Sequence, residues 1–145
     1  MKAGALAAGL LMAASPAGAQ VVSYSVEGDA IPHSLTGAAG DAARGAALMG
    51  DRNKSLCVLC HSGVDAPAHM QGTLAPTLAD VGARLSEGQI RLRIVDMKAL
   101  DPASIMPTYY GPAGGARIAE AWRGKPILSA DEIEDLVAYL STLRG

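Results

Sequence analysis

The most regular pattern of apolar and polar positions lies near the C-terminus of the chain. Apolar residues recur there at the three- and four-residue spacing of a helical face. They are Ile133, Leu136, Val137, Leu140 and Leu143. The preceding segment Ser129–Glu132 has the form of a capping box, which marks a helix start. Together these features predict a helix over Ala130–Leu143.

Two more helices are predicted upstream. Ser86–Gln89 also has the form of a capping box, and the apolar residues after it predict a helix of about ten residues. Gly40–Met49 is rich in helix formers, and Asp41 lies near its positive end. Gly45 weakens that helix by about 1 kcal/mol relative to alanine. A glycine is useful at this point if another helix crosses closely, so we predict such a crossing.

Proline and glycine interrupt the pattern in two long segments, Gly63–Pro76 and Leu100–Ala116, which are predicted to be loops. No strand pattern or repeat is evident. Short helices joined by long loops make a poor core unless a cofactor fills the middle. The fold class predicted is therefore all-α, with short helices packed around a bound group.

Composition supports this picture and excludes other classes. The chain has 145 residues, which favours one domain, and aromatic residues make up only 3% with no Phe. A large flat cofactor would replace the missing aromatic core. The net charge of −2, with mixed signs, lacks the basic patch of a nucleic-acid-binding protein. No apolar run reaches the length of a membrane span.

The first residues are predicted to be a signal peptide, residues 1–19. Lys2 provides a positive start, Ala3–Ala14 is apolar, and Ser15–Ala19 ends in a small-x-small cleavage pattern. Cleavage after Ala19 would leave a mature chain with an irregular N-terminal arm, residues 20–35, and one domain, residues 36–145. The expected location is the periplasm.

The segment Cys57–His61 has the sequence Cys-Val-Leu-Cys-His, the pattern of covalent haem attachment. The two thiols reach the two vinyl groups on one side of the porphyrin, and the next histidine then lies under the ring and coordinates iron. We therefore predict one haem c per chain, bound to Cys57 and Cys60, with His61 as an axial ligand.

Two other interpretations of this segment fit the sequence less well. A redox-active dithiol is expected at a strand-to-helix turn of a βαβ fold, which the chain does not predict. A structural zinc site needs four ligands at tetrahedral spacing, and a fourth is missing.

The sixth ligand of the iron has several candidates. They are His33, His69, Met70, Met97 and Met106. Met97 lies on the apolar face of the middle helix, where a core role is expected, and His69 and Met70 lie close behind His61 in sequence. Met106 is favoured because it lies in a proline-rich loop far enough along the chain to cross the ring edge. Methionine ligation raises the reduction potential and indicates electron transfer.

Several segments together resemble the class I cytochromes c and, within them, the SoxX family of monohaem subunits of the SoxAX complex in thiosulfate oxidation. The segments that carry the SoxX likeness are Asp29–Pro32, Gln71–Pro76, Arg91–Asp96, Ile105–Tyr110 and Trp122–Leu128. The resemblance implies the class I fold, with Met106 as distal ligand. It also implies that the Pro76 carbonyl orients the His61 imidazole, that Arg84 binds a propionate, and that Tyr139 packs at the Gly45 crossing.

The resemblance further implies partners. SoxA would be the stable partner, the SoxYZ carrier would receive thiosulfate, and a downstream cytochrome would accept electrons. This chain would then be the redox subunit of an L-cysteine S-thiosulfotransferase, since no nucleophile or base is evident outside the haem site. Alternatives are a free-standing periplasmic electron shuttle and a haem sensor or peroxidase in which Met106 does not bind. His33 is expected to be solvated, and Trp122 to pack.

Overall fold

The computed structural model describes residues 21–111, 118–120 and 123–145. In these ranges the chain forms four α-helices: α1 (Ala42–Gly50), α2 (Val81–Arg84), α3 (Glu87–Asp96) and α4 (Ala130–Thr142). Single 3-10 turns lie at Cys57–Leu59, Ala68–Met70 and Met97–Ala99. The described residues contain no strand beyond an isolated bridge between Glu27 and Ala30. The predicted all-α class is confirmed. The predicted leader and Trp122 lie outside the described residues.

Both predicted capping boxes form. The Ser86 side chain accepts a hydrogen bond from the Gln89 amide at the start of α3, and Ser129 does the same for Glu132 in α4. Helix α3 has the expected ten residues. Helix α4 ends one residue earlier than predicted, because Leu143 already has extended backbone angles. Helix α2 was not predicted, since its four residues are too few to show a period.

Helices α1 and α4 cross closely, as Gly45 predicted. A Cβ atom at Gly45 would overlap the main-chain carbonyl of Asp135 in α4, so no larger residue fits there. Gly40 lies equally close to the backbone of Glu134. Tyr139 packs beside Gly45, and its hydroxyl accepts a hydrogen bond from the Asp65 amide at 2.7 Å. The crossing thus ties the first and last helices to the loop after the Cys-X-X-Cys-His motif.

The segment before α1 is irregular, as expected, yet it contributes to the core. Ile31 and Leu35 are 1% and 6% exposed. The buried Arg91 of α3 donates to both carboxylate oxygens of Glu134 in α4 and to the Ile31 carbonyl, all at 2.8 Å. Glu134 also accepts from the Leu35 amide at 2.9 Å. The arm, α3 and α4 therefore share one buried ion pair.

None of the helices that the structure describes is both long enough and apolar enough to cross a lipid bilayer.

Candidate functional site

A cavity of about 500 Å³ opens between α2, α3, α4 and the two long loops. Its lining is mainly apolar. Helix α3 contributes side chains at the spacing of one face, and α4 contributes two more: Ile90, Arg93, Ile94, Leu136 and Leu140. Cys57, Cys60 and His61 line the same cavity, together with Met106. The fold therefore brings the attachment motif and the predicted distal ligand to one space.

The backbone of the motif explains how the side chains of Cys57, Cys60 and His61 all reach the cavity. Leu56 has a left-handed conformation with φ of 60° and turns the chain into the 3-10 turn that begins at Cys57. The carbonyl of Cys57 then accepts hydrogen bonds from the amides of Cys60 and His61 at 3.1 and 2.9 Å. A left-handed leucine is strained by about 1–3 kcal/mol, and such strain is found where function requires a shape.

The His61 imidazole is held in one orientation. Its Nδ1 lies 2.8 Å from the carbonyl oxygen of Pro76. A carbonyl can only accept a hydrogen bond, so Nδ1 carries the proton and Nε2 keeps a free lone pair. That is the tautomer that a metal-binding imidazole needs, and the hydrogen bond raises its basicity. The structure thus places Pro76 where it can orient the ring.

The two cysteines line the cavity, and neither is paired in a disulfide. Burial raises the pKa of the Cys57 thiol above its ordinary value. The cysteines of a redox-active Cys-X-X-Cys motif have lowered pKa values, because the thiolate is the reactive form. The environment of Cys57 therefore favours a neutral sulfur beside an apolar ring over a dithiol catalyst.

The candidate sixth ligands separate into two groups. Met97 and Met106 line the cavity, whereas His33, His69 and Met70 are not among the lining residues. Both histidines have exposed side chains. Met97 begins the turn after α3. Met106 remains the predicted ligand, and Met97 is the alternative that also reaches the cavity.

Two further residues line the cavity, Met49 and Tyr109, and neither was predicted from the sequence as part of the site. Met49 at the end of α1 is 2% exposed and lines the cavity. Tyr109 also lines it, and its hydroxyl donates to the carbonyl of Ser55 at 2.5 Å. Burial raises the pKa of Tyr109 above its usual range, so the phenol stays protonated. Since Ser55 lies two residues before Cys57, Tyr109 connects the Met106 segment to the attachment motif.

The charged side chains of the wall are arginines. Arg84 lines the cavity and donates to the Asp80 carboxylate at 2.9 Å and to the Thr77 carbonyl at 3.3 Å. Arg93, which sequence reasoning missed, also lines it and donates to the Gln89 carbonyl at 2.9 Å. Its position three residues after Ile90 on the cavity face of α3 was the available signal. No aspartate or glutamate is present among the described lining residues.

These features fit a haem. The cavity offers apolar walls for the porphyrin, two thiols at attachment spacing and a neutral imidazole with a free Nε2. It also holds a thioether at Met106 and two arginines that match the negative charge of propionates. The donor types therefore agree with a covalently bound haem.

Comparison with known proteins identifies a matching family and a similar solved structure. The family model described as Cytochrome c matches residues 42–144. A solved structure titled "Crystal structure of SoxXA from P. pantotrophus" contains a chain that is 33% identical, with a TM-score of 0.69. The match covers 81% of this chain and 91% of that chain. No curated protein matches this sequence.

Proposed function

This chain belongs to the cytochrome c family as a SoxX-like cytochrome, and we propose that it is the electron-accepting subunit of a two-subunit SoxAX-type complex. In the proposed reaction, the complex joins thiosulfate oxidatively to a cysteine of a SoxYZ carrier protein. The joining is assigned to a SoxA partner, and this chain takes the electrons and passes them to a downstream cytochrome. It is a redox subunit and not a catalyst alone.

The chain's own residues define what the site does. Cys57 and Cys60 would hold one haem through their sulfur atoms, and His61 and Met106 would supply ligands to its iron. When bound, the haem supplies a one-electron iron couple. Pro76 fixes the His61 tautomer through the 2.8 Å contact, and the apolar wall suits the apolar faces of a porphyrin. If His61 and Met106 both bind the iron, no position would stay open for a substrate, which supports electron transfer over peroxide or oxygen chemistry.

The choice of a permanent subunit rests on the likeness to a chain of the structure titled SoxXA, and the apolar mouth of the cavity supports it. Leu74 and Ile105 line the cavity and are 70% and 75% exposed, the highest values among the large exposed hydrophobic residues. Leu56, which also lines the cavity, is 43% exposed. A permanent interface is apolar and depleted of charge at its centre, whereas a shuttle presents a solvated, charged rim. Exposed leucine and isoleucine at this mouth favour a stable partner.

Co-purification tests the proposal directly. The chain would be tagged at its C-terminus and isolated from its host grown on thiosulfate. We expect a second cytochrome in stoichiometric amount, with haem reduction that depends on thiosulfate and a carrier protein. A lone monohaem protein, reduced only by other cytochromes, would contradict the subunit proposal and leave a free-standing shuttle.

Two variant proteins test whether the partner binds at the mouth of the cavity. Leu74→Ser with Ile105→Ser should reduce recovery of the second cytochrome, because both substitutions remove apolar surface from the proposed interface. Val26→Ser is the matched control, since Val26 is 47% exposed but does not line the cavity. Equal recovery from both variants would show that the partner binds elsewhere.

Export to the periplasm is the last part of the proposal. It is supported by the order of positive, apolar and small residues over residues 1–19. N-terminal sequencing of the mature protein from a periplasmic fraction should begin at Gln20, and an intact Met1 in the cytoplasmic fraction would contradict export.

A further inference from the structure

Residues 104–108, here called the Met106 loop, are held against the end of α3 by a lysine. The Lys98 ammonium donates to the carbonyl of Ser104 at 2.7 Å and to the carbonyl of Met106 at 3.0 Å. An ammonium gives stronger hydrogen bonds than a neutral donor, and here one side chain satisfies two acceptors of the same turn. Lys98 therefore fixes the main chain of Met106 itself.

A second residue of the same helix end holds the other side of the loop. The Asp96 carboxylate accepts from the Thr108 hydroxyl at 2.8 Å and from the Lys98 amide at 3.2 Å. Asp96 thus anchors the residue that lies two positions after Met106, and it also orders the main chain of Lys98. We call Asp96 and Lys98 the α3 clasp.

Apart from the α3 clasp, and from the hydrogen bond of Tyr109 to Ser55 just after the loop, the hydrogen bonds of the described loop residues are local. No helix forms within the described residues 104–108; the Ser104 amide donates to the Asp101 carbonyl at 2.9 Å, and the Met106 amide donates to the Ser104 hydroxyl at 3.2 Å. Ile105 beside it is 75% exposed. A thioether is a weak neutral ligand for iron, so an external base can displace it whenever the loop opens. The contacts to α3 therefore control how often Met106 is displaced.

We propose that Lys98, supported by Asp96, is a positioning residue that keeps the Met106 thioether at the axial position. This inference rests on the proposed function, in which Met106 is the distal ligand. The α3 clasp acts on the loop backbone and does not touch the iron. Its loss leaves the fold and the haem attachment intact and makes Met106 easier to displace.

The test is competition by imidazole on the purified ferric holoprotein. Its readouts are the far-red absorption typical of methionine-ligated ferric haem and the imidazole concentration that removes it. Lys98→Met should bind imidazole about tenfold more tightly than the natural protein, the equivalent of one charge-assisted hydrogen bond. Lys98→Arg keeps a donor and should restore most of the difference. Lys125→Met is the matched control, since it removes the same charge from an exposed site, and should behave like the natural protein.

Two further variants make the outcomes separable. Thr108→Val removes only the Asp96 contact and should shift imidazole binding in the same direction by a smaller factor; it also tests the α3 clasp if Lys98→Met yields no holoprotein. Met106→Ala should abolish the far-red absorption. Suppose that Met106→Ala abolishes the absorption while Lys98→Met and Thr108→Val bind imidazole like the natural protein. The proposed role of the α3 clasp is then wrong, and Met106 is still the ligand. If Met106→Ala leaves the absorption unchanged, the ligand assignment itself is wrong, and the clasp falls with it.

Discussion

The crossing of α1 over α4 and the Met106 loop border the same haem site, but different contacts stabilise them. At the crossing, the backbones of two helices touch at Gly45, and the neighbouring Arg91–Glu134 pair is 4% and 3% exposed in its side chains. The Met106 loop is connected to α3 by the exposed Lys98 and the half-buried Asp96. The contacts at the crossing are buried, whereas those of the Met106 loop are accessible to solvent.

This difference predicts which substitutions change the stability of the fold and which change iron ligation or partner binding. A buried ion pair or a backbone contact cannot be exchanged for water, so its loss is felt by the whole domain. When an exposed hydrogen bond is lost, water takes the place of the missing partner at a small cost in free energy. The loss therefore affects only the segment that the hydrogen bond orders. We therefore expect substitutions at the crossing to change stability, and substitutions around the Met106 loop to change ligation or partner binding.

The largest effect is expected for Arg91→Met. This substitution leaves the Glu134 carboxylate buried without its partner and frees the Ile31 carbonyl, and it should lower the free energy of unfolding by about 3–5 kcal/mol. Chemical denaturation followed by circular dichroism measures it. Arg52→Met, at an exposed position, is the control and should change stability little. Equal stability of the two variants would show that the buried pair does not hold the arm and α4 together.

Gly45→Ala comes next. The added methyl would meet the Asp135 carbonyl, a backbone atom that cannot move aside cheaply, so we expect a loss of about 1–3 kcal/mol. Gly50→Ala in the same helix is the matched control, because a Cβ atom there meets nothing within 4 Å. Thermal unfolding of both variants should show a loss for position 45 only. A stable Gly45→Ala protein would mean that the helices do not approach this closely.

A smaller, pH-dependent effect is expected for Asp135→Asn. The hydrogen bond from Arg44 lowers the pKa of this carboxyl below its ordinary 3.8, and the Asp41 amide assists at 2.6 Å. A lowered pKa contributes stability that is present above the ordinary value and is lost as pH falls through the folded one. The natural protein should therefore lose melting temperature more steeply than the variant below about pH 4.

Melting curves over a pH series measure this difference. Asp65→Asn removes an exposed carboxylate and should leave the acid slope unchanged. Parallel curves for the natural protein and Asp135→Asn would contradict a role for this carboxylate in acid stability.

The smallest change in stability is expected for Ile105→Ser on the open side. The side chain is 75% exposed, so the free energy of unfolding should stay within about 0.5 kcal/mol. Association with the proposed partner should nevertheless weaken, and a titration of the two purified subunits by light scattering measures it. A large loss of stability here would show that the loop side is as interlocked as the crossing.

The features predicted from sequence were those that short-range rules govern. The capping boxes at Ser86 and Ser129 and the length of α3 follow from hydrogen bonds within four residues, and the family comparison supports the cytochrome fold expected from the motif at Cys57. Gly45 was informative because glycine lowers the stability of a helix, and its presence there indicated a close helix crossing. By contrast, α2 was missed because one turn of helix carries no period.

What the sequence alone determined is the covalent and local part of this protein: the two thiols and the imidazole at fixed spacing, and the helices that begin at named caps. Only the tertiary structure decided that Ile31 enters the core and that Arg93 faces the cavity. It also decided that Leu35 meets Glu134 across 99 residues of chain. Such contacts join segments distant in sequence, and they follow from how the whole chain packs, since no local pattern distinguishes an arginine that pairs in the core from one in solvent.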